Sequence, residues 1–313
     1  MLPTSGAVVE WELILLCMVN VMVVGFPRSG TTMVANQIGM KFNLAVAPET
    51  HFWSKVQHLA NHRDLALGDH FRLRDLAVDC ADLKLGSEPN GAIYFELMER
   101  YRRKFPGVVG VIEKTPEHSL YIPNVIRTNS KVKVVGIVRH PFGCILSLRK
   151  VSWYGKRSVI HPALSYFVNV ACLMLSRLVY RHNVRVMKFE EVISQEGDVV
   201  RDLEQWLDLP YCKSGILKGH SVPEWELSWK RNSADVPSDQ SRSDHGLRLT
   251  ALEKFIIESI NFELLVMSGY RPSKLSLLTG VLLWPAKSCL AFGLFVKQRF
   301  FPKNLQLNPL HER

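Results

Sequence analysis

Cysteine is scarce and unpatterned in this chain. Six cysteines (Cys17, Cys80, Cys144, Cys172, Cys212 and Cys289) are spread over 313 residues, with no C-x-x-C pair and no framework spacing. That pattern excludes a small disulfide scaffold and a structural zinc site, and it fits a reducing, cytoplasmic compartment. The eleven histidines include no H-E-x-x-H, so no metal is expected. There is no internal repeat and no low-complexity stretch. The first long apolar stretch, Leu13–Phe26, is interrupted only by Asn20, but it is too short to span a bilayer. It also lacks the basic region that opens a signal peptide, and Met18 or Met22 is a candidate true start. Basic residues are not interleaved with aromatics in a recognisable module, so nucleic acid is not an expected partner.

What is present is the composition of a globular protein. Apolar residues make up 47% and charged residues 22%, enough for one large domain or one domain plus an extension. Strand-like runs alternate with helical stretches. The alternation predicts an α/β fold, a parallel sheet flanked by helices on both faces. Ligands in such sheets bind at the carboxyl ends of the strands.

Residues 21–32 read VMVVGFPRSGTT and carry the most functional information. A β-branched run ends at Gly25, a tight loop follows, and a helix is expected to open at Thr31-Thr32. Amide groups at a helix N-terminus, with the positive end of its dipole, form an anion site. The spacing nearly matches G-x-x-x-x-G-K-[ST], the P-loop of nucleoside triphosphatases. Gly25 and Gly30 fit the two glycines and Thr32 the final hydroxyl, but Thr31 stands where the lysine belongs. The only cation of the loop is Arg28, so the cradle lacks the lysine that serves the β- and γ-phosphates.

A second motif, VKVVGIVRHPFGCILS, covers residues 132–147. A buried strand over Val132–Val138 delivers Arg139 to its carboxyl end, and Pro141 suits a first helical turn. Ser147 comes about two helical turns after Arg139. An Arg fork and a hydroxyl together make a good phosphate site. A third segment, VIEKTPEH at 111–118, follows the apolar run Val108–Ile112.

Together these segments resemble the sulfotransferases that use 3′-phosphoadenosine 5′-phosphosulfate (PAPS), and in particular the bacterial and Golgi carbohydrate-type members. P-R-S-G-T-T after a strand is similar to their 5′-phosphosulfate loop, and strand–Arg–x₇–Ser to their 3′-phosphate site. The resemblance implies a P-loop nucleoside-triphosphatase-like fold and PAPS as co-substrate. It implies nucleotide contacts from Arg28, Ser29, Gly30, Thr31, Thr32, Arg139 and Ser147. In the carbohydrate enzymes the Glu of the E-K-T-P segment is taken as the general base. Glu113 is therefore the candidate base, since the acceptor hydroxyl must lose a proton as it attacks sulfur. His118 is the rival: cytosolic members use a His two residues after a Lys, whereas here the gap from Lys114 is four. Arg28 is assigned to the charge that grows on the leaving phosphate.

Weaker matches extend the resemblance over roughly residues 19–272. PETHFW at 48–53 fits an acidic–aromatic segment near the acceptor, and KFEEV at 188–192 fits a Y-E-D-L element after a strand at Val184–Met187. A helix is expected over 195–207 and a final helix over Leu249–Tyr270. Asn232–His245 reads as a loop able to fold over the nucleotide. The expected organisation is an N-terminal extension (1–18), a sulfotransferase domain (19–272) and a basic apolar tail (273–313).

Net charge is +10, of which +6 lies from Arg271 onward. The tail includes Leu275–Val296, an apolar run broken by Pro285 and Lys287. A seat on an anionic membrane surface, packing on the domain, and true spanning are the three readings of this segment. Two rival functions also stay open, a P-loop kinase and a non-catalytic nucleotide-binding, membrane-associated module. The expected acceptor is a hydroxyl compound such as a carbohydrate, a lipid glycan or a small alcohol.

Overall fold

The computed structural model of the protein describes residues 19–54, 71–79, 90–151, 158–194, 199–213, 215–219, 222 and 248–300. The candidate start at Met18 and the expected loop Asn232–His245 lie outside the described residues.

A six-stranded sheet organises the described residues. Its strands are β1 (Val19–Gly25), β2 (Leu44–Ala47), β3 (Gly110–Lys114), β4 (Lys133–Val138), β5 (Val184–Lys188) and β6 (Lys218–Gly219). Their order is β5-β4-β1-β3-β2-β6, and every pairing is parallel. The sequence of β1 explains its central place. Val21, Met22, Val23 and Val24 are each no more than 1% exposed, because strands covered on both faces favour near-continuous apolar runs. Side-chain alternation divides them: Met22 and Val24 enter one core cluster, Val21 and Val23 the other.

Helices cover both faces. They are α1 (Thr31–Phe42), α2 (Asn90–Arg103), α3 (Ile122–Thr128), α4 (Pro141–Arg149), α5 (Ile160–Val179), α6 (Phe189–Ser194), α7 (Ala251–Met267), α8 (Lys274–Leu282) and α9 (Trp284–Phe300). The crossover after β1 runs toward β2 on one side, and the one after β4 runs toward β5 on the other. The strand order therefore reverses between β1 and β4, which is where open parallel sheets form a crevice for a ligand. The loop after β1 and Arg139 after β4 both lie at that point.

Several boundaries differ from expectation. The apolar run Val108–Ile112 becomes a strand only from Gly110, and that strand includes Glu113 and Lys114. In place of the helix expected over 195–207 there are single turns at Arg201–Leu203 and Glu204–Leu207, with 195–198 outside the described residues; the helix after β5 is the short α6, which ends at Ser194. Helix α7 starts with a Thr250/Glu253 capping box and kinks at Asn261 (φ −113°). The apolar tail forms two helices bent by 74°. Pro285 sits in the first turn of α9, where its missing amide and fixed φ favour a fresh start over continuation of α8. Helix α9 packs on the domain, adding Ala291 to a core cluster with Leu294 and Phe295 against it.

Candidate active site

The loop between β1 and α1 turns back on itself through two left-handed residues, Arg28 (φ 71°) and Gly30 (φ 94°). Glycine adopts this conformation freely, while for arginine it costs roughly 1–2 kcal/mol. Neither glycine of the motif has room for a side chain. A Cβ on Gly25 would lie 2.5 Å from the Ile137 carbonyl, and one on Gly30 would lie 2.2 Å from the Phe189 ring. Helix α1 opens with no side-chain cap and no acidic residue in its first turn. Its leading amides thus point into the loop without a partner from a capping side chain. Ser29 Oγ is buried there and has no hydrogen-bond partner. A buried orphan donor beside an uncapped helix N-terminus fits an oxyanion ligand, the donor set that a phosphosulfate requires.

The second motif, at 132–147, meets the first directly. Arg28 Nε donates to Ser147 Oγ at 2.9 Å, and Arg139 Nη1 donates to the Arg28 carbonyl at 3.3 Å. The Arg139 guanidinium lies 4.6 Å from the ring centroid of Phe189, so that ring separates Gly30 from Arg139. The turn carrying Arg139 is held from behind. Tyr166 Oη donates to the Arg139 carbonyl at 2.8 Å, the His140 amide donates to Glu190 at 3.0 Å, and Tyr270 Oη donates to the same carboxylate at 2.5 Å. Burial pushes His140 below the usual imidazole range, against the raising effect of Glu190 and Glu258. Phe189, Tyr166 and Tyr270 were not predicted from sequence. For Phe189 the signal was available, as the aromatic between Lys188 and Glu190 at the end of β5.

Glu113 and Lys114 are neighbours in sequence but face opposite ways. On β3, Val111 belongs to one core cluster and Ile112 to the other, so alternation puts Glu113 with Val111 and Lys114 with Ile112, on the face that α1 covers. Glu113 is 1% exposed. Its Oε1 accepts from the Thr50 amide (3.1 Å), Thr50 Oγ1 (3.0 Å) and Thr115 Oγ1 (2.5 Å), and its Oε2 faces His118 Nδ1 at 3.2 Å. Burial raises the pKa of this carboxyl, but the His118 ring and the donated hydrogen bonds outweigh it and hold the group below the usual carboxylate range. The same carboxylate, after burial, pushes Tyr94 upward.

The candidate base Glu113 therefore sits among internal donors in the core. A general base must come within hydrogen-bond reach of the acceptor hydroxyl, and Glu113, at 1% exposed, faces internal donors. His118, the rival base, is enclosed in the same way. It is fully buried, and its Nε2 accepts the Trp53 amide at 3.2 Å. An amide can only donate, so the ring proton sits on Nδ1 and is donated to Glu113.

The carboxylate on the other face is Glu49, in the loop after β2. Lys114 is fully buried and its Nζ donates to Glu49 Oε1 at 2.5 Å. Glu49 Oε2 lies 3.2 Å from His51 Nε2, and His51 Nδ1 lies 3.4 Å from Glu117. The segment is pinned to β3 by local bonds, including His51 N to Thr115 Oγ1 at 3.3 Å, with His51 in the left-handed region at φ 51°. Strain of this kind persists only where the surroundings over-determine it. Glu49, whose side chain is 10% exposed against 1% for Glu113, is the more accessible acid. Among the described residues, no group of three or more His, Cys, Asp or Glu side chains is arranged to hold a metal ion.

Comparison with known proteins adds the family. The model of the family described as "Sulfotransferase family" matches residues 20–213, more than half of the chain. A sulfotransferase domain from the Synechococcus PCC 7002 olefin synthase superposes with a TM-score of 0.52 at 16% identity, over 82% of this chain and 95% of that one. A sulfotransferase domain from the curacin biosynthetic pathway gives 0.49 at 14% identity, over 82% and 99%. A sulfotransferase from Alicyclobacillus acidocaldarius gives 0.47 at 15% identity, over 81% and 96%. The first of these similarities supports the fold. No curated protein sequence matches significantly.

Proposed function

The chain belongs to the sulfotransferase family, and from that membership we propose that it transfers a sulfuryl group from PAPS to the hydroxyl of an acceptor. The observation that carries the reading is the junction of the two phosphate motifs, Arg28 to Ser147 across the β1–β4 crevice. PAPS supplies the activated sulfuryl group when bound. The amides of Gly30, Thr31 and Thr32, with Ser29 Oγ, hold its 5′ end, while Arg139 and Ser147 hold its 3′-phosphate. Arg28 bridges the two sites and stabilises negative charge that develops at the loop.

In this reading Glu49 receives the acceptor's proton. Lys114 orients that carboxylate, and His51 fixes its second oxygen. Glu113 and His118 act behind this pair. Their bonds to Thr50 and to the Trp53 amide fix the backbone that carries Glu49, which makes them positioning residues. The loss of the P-loop lysine at Thr31 disfavours the kinase alternative. The test is incubation of the protein with radiosulfur-labelled PAPS and panels of carbohydrates, glycolipids and small alcohols. Label transferred to a hydroxyl compound supports the reading. Mg²⁺-dependent ATP turnover without transfer of label overturns it.

A further inference from the structure

Helices α8 and α9 are built inside out. Leu275, Leu278 and Leu282 of α8 are 64%, 58% and 72% exposed. Trp284 at the bend is 54% exposed, and Leu290 and Phe292 of α9 are 61% and 68% exposed. The polar residues point the other way. Ser276 is fully buried and donates to Glu258 at 2.9 Å. Lys287 is the only charged residue between Leu275 and Val296, and it is 4% exposed. Its Nζ donates to Glu263 at 2.5 Å and to the Ile260 carbonyl at 3.1 Å, and the Phe262 ring centroid lies 4.4 Å away.

A helix packed on a domain in water turns its apolar stripe inward and its charges outward. Here the one charge between Leu275 and Val296 is inward, and leucine, tryptophan and phenylalanine face out. Apolar surface gathered on two consecutive helices in this way marks an interaction site.

Charge identifies the partner. Residues 271–300 contain no Asp or Glu. Exposed basic residues bracket the apolar face, Arg271 and Lys274 before it and Lys297 at its far end. A leaflet with anionic headgroups matches that arrangement, apolar in the middle and cationic at both ends. The bend of 74° prevents α8 and α9 from forming one straight span. The inward side of α9 is also committed to the domain, through Ala291, Lys287 and the bond from Arg299 to Asn124 at 2.7 Å. The face can therefore lie along a bilayer surface but not cross it.

We propose that the outward face of α8 and α9 seats the protein on an anionic membrane leaflet. Leu278, Leu282, Trp284 and Leu290 enter the acyl boundary, and Arg271, Lys274 and Lys297 meet the headgroups. This inference does not depend on the transferase reading, since α8 and α9 lie beyond the family match at 20–213.

Co-sedimentation of the full chain with vesicles tests it, using phosphatidylcholine alone and phosphatidylcholine mixed with phosphatidylglycerol. The wild type is expected to pellet with the mixed vesicles, and added salt to weaken but not abolish this. The double variant Leu278→Glu/Leu282→Glu should lose at least about tenfold in partitioning, with an unchanged melting temperature. Phe292→Ser, on the other helix, serves if the double variant fails to fold, and a loss of pelleting is expected there too. Lys274→Glu with Lys297→Glu should remove the preference for phosphatidylglycerol. Wild-type protein left in the supernatant with both vesicle types overturns the proposal. So does a self-associated wild type that Leu278→Glu/Leu282→Glu makes monomeric while neither binds vesicles, since the face would then be covered by a second copy.

Discussion

Arg28 and Ser147 are hydrogen-bonded at 2.9 Å although 119 residues separate them in sequence. The bond joins the two motifs proposed to hold the 5′ and 3′ ends of PAPS. Arg139 adds a second tie by donating to the Arg28 carbonyl. In the proposed binding mode, a ligand carrying phosphate at both ends replaces these internal partners with charged ones, and a ligand lacking the 3′-phosphate leaves half of them in place.

Nucleotide choice follows from that coupling. Adenosine 3′,5′-bisphosphate is expected to raise the melting temperature more than AMP or ATP does. Arg139→Ala should remove most of the preference, a loss of roughly 1.5–3 kcal/mol for a charged hydrogen bond. Differential scanning fluorimetry with the three nucleotides measures this directly. Equal stabilisation by ATP, enhanced by Mg²⁺, is the contrary outcome.

The two carboxylates are expected to separate chemistry from stability. Glu49→Gln keeps an acceptor for Lys114 but loses the base, so kcat should fall roughly 10²–10⁴-fold with little change in nucleotide affinity. Glu113→Gln turns an amide group toward donors it cannot accept from, and should destabilise the fold by roughly 1–3 kcal/mol. Paired thermal melts and turnover assays distinguish them. A Glu113→Gln protein with unchanged melting temperature and abolished turnover would return the base to Glu113.

His140 gives a pH dependence whose sign is fixed. Burial depresses its folded pKa below the ordinary imidazole value of about 6.5. As pH falls below 6.5, the unfolded chain takes up a proton that the folded protein does not, so stability drops from that point downward. Above 6.5 both states are neutral there and the contribution is flat. His140→Asn keeps a side-chain acceptor for the Phe142 amide, which the His140 ring now provides, but does not titrate. Chemical denaturation across this range should show a shallower loss toward acid in the variant. An identical profile would mean that His140 titrates as it does in the unfolded chain.

The tail contributes to the fold itself. Removing residues 273–313 strips Ala291, Leu294 and Phe295 from the core and leaves Glu263 without Lys287. The melting temperature of the shortened protein is expected to be roughly 5–10 °C lower. Unchanged melting, with nucleotide binding retained, would show that the two helices are an appendage.

Much of this site was legible because its determinants are local. The β-branched run before Gly25, the glycines that leave no room for a Cβ, and the strand that ends at Arg139 each follow from a few adjacent residues. The parallel sheet followed in the same way, from alternation of strand and helix. The family resemblance supplied the link between distant motifs, and the crevice between β1 and β4 gave that link a place.

Tertiary structure decided what adjacency could not. Glu113 and Lys114 read as one motif, yet a strand sends successive side chains to opposite faces. Only the register of β3 reveals that Glu113 enters the core while Lys114 turns to Glu49, a partner 65 residues away. The tail shows the same limit. Its apolar run was plain in the sequence, but which side faces out depends on what the other side touches. Lys287 faces inward because Glu263 and the Ile260 carbonyl satisfy its charge there, and that pairing leaves the leucines outside.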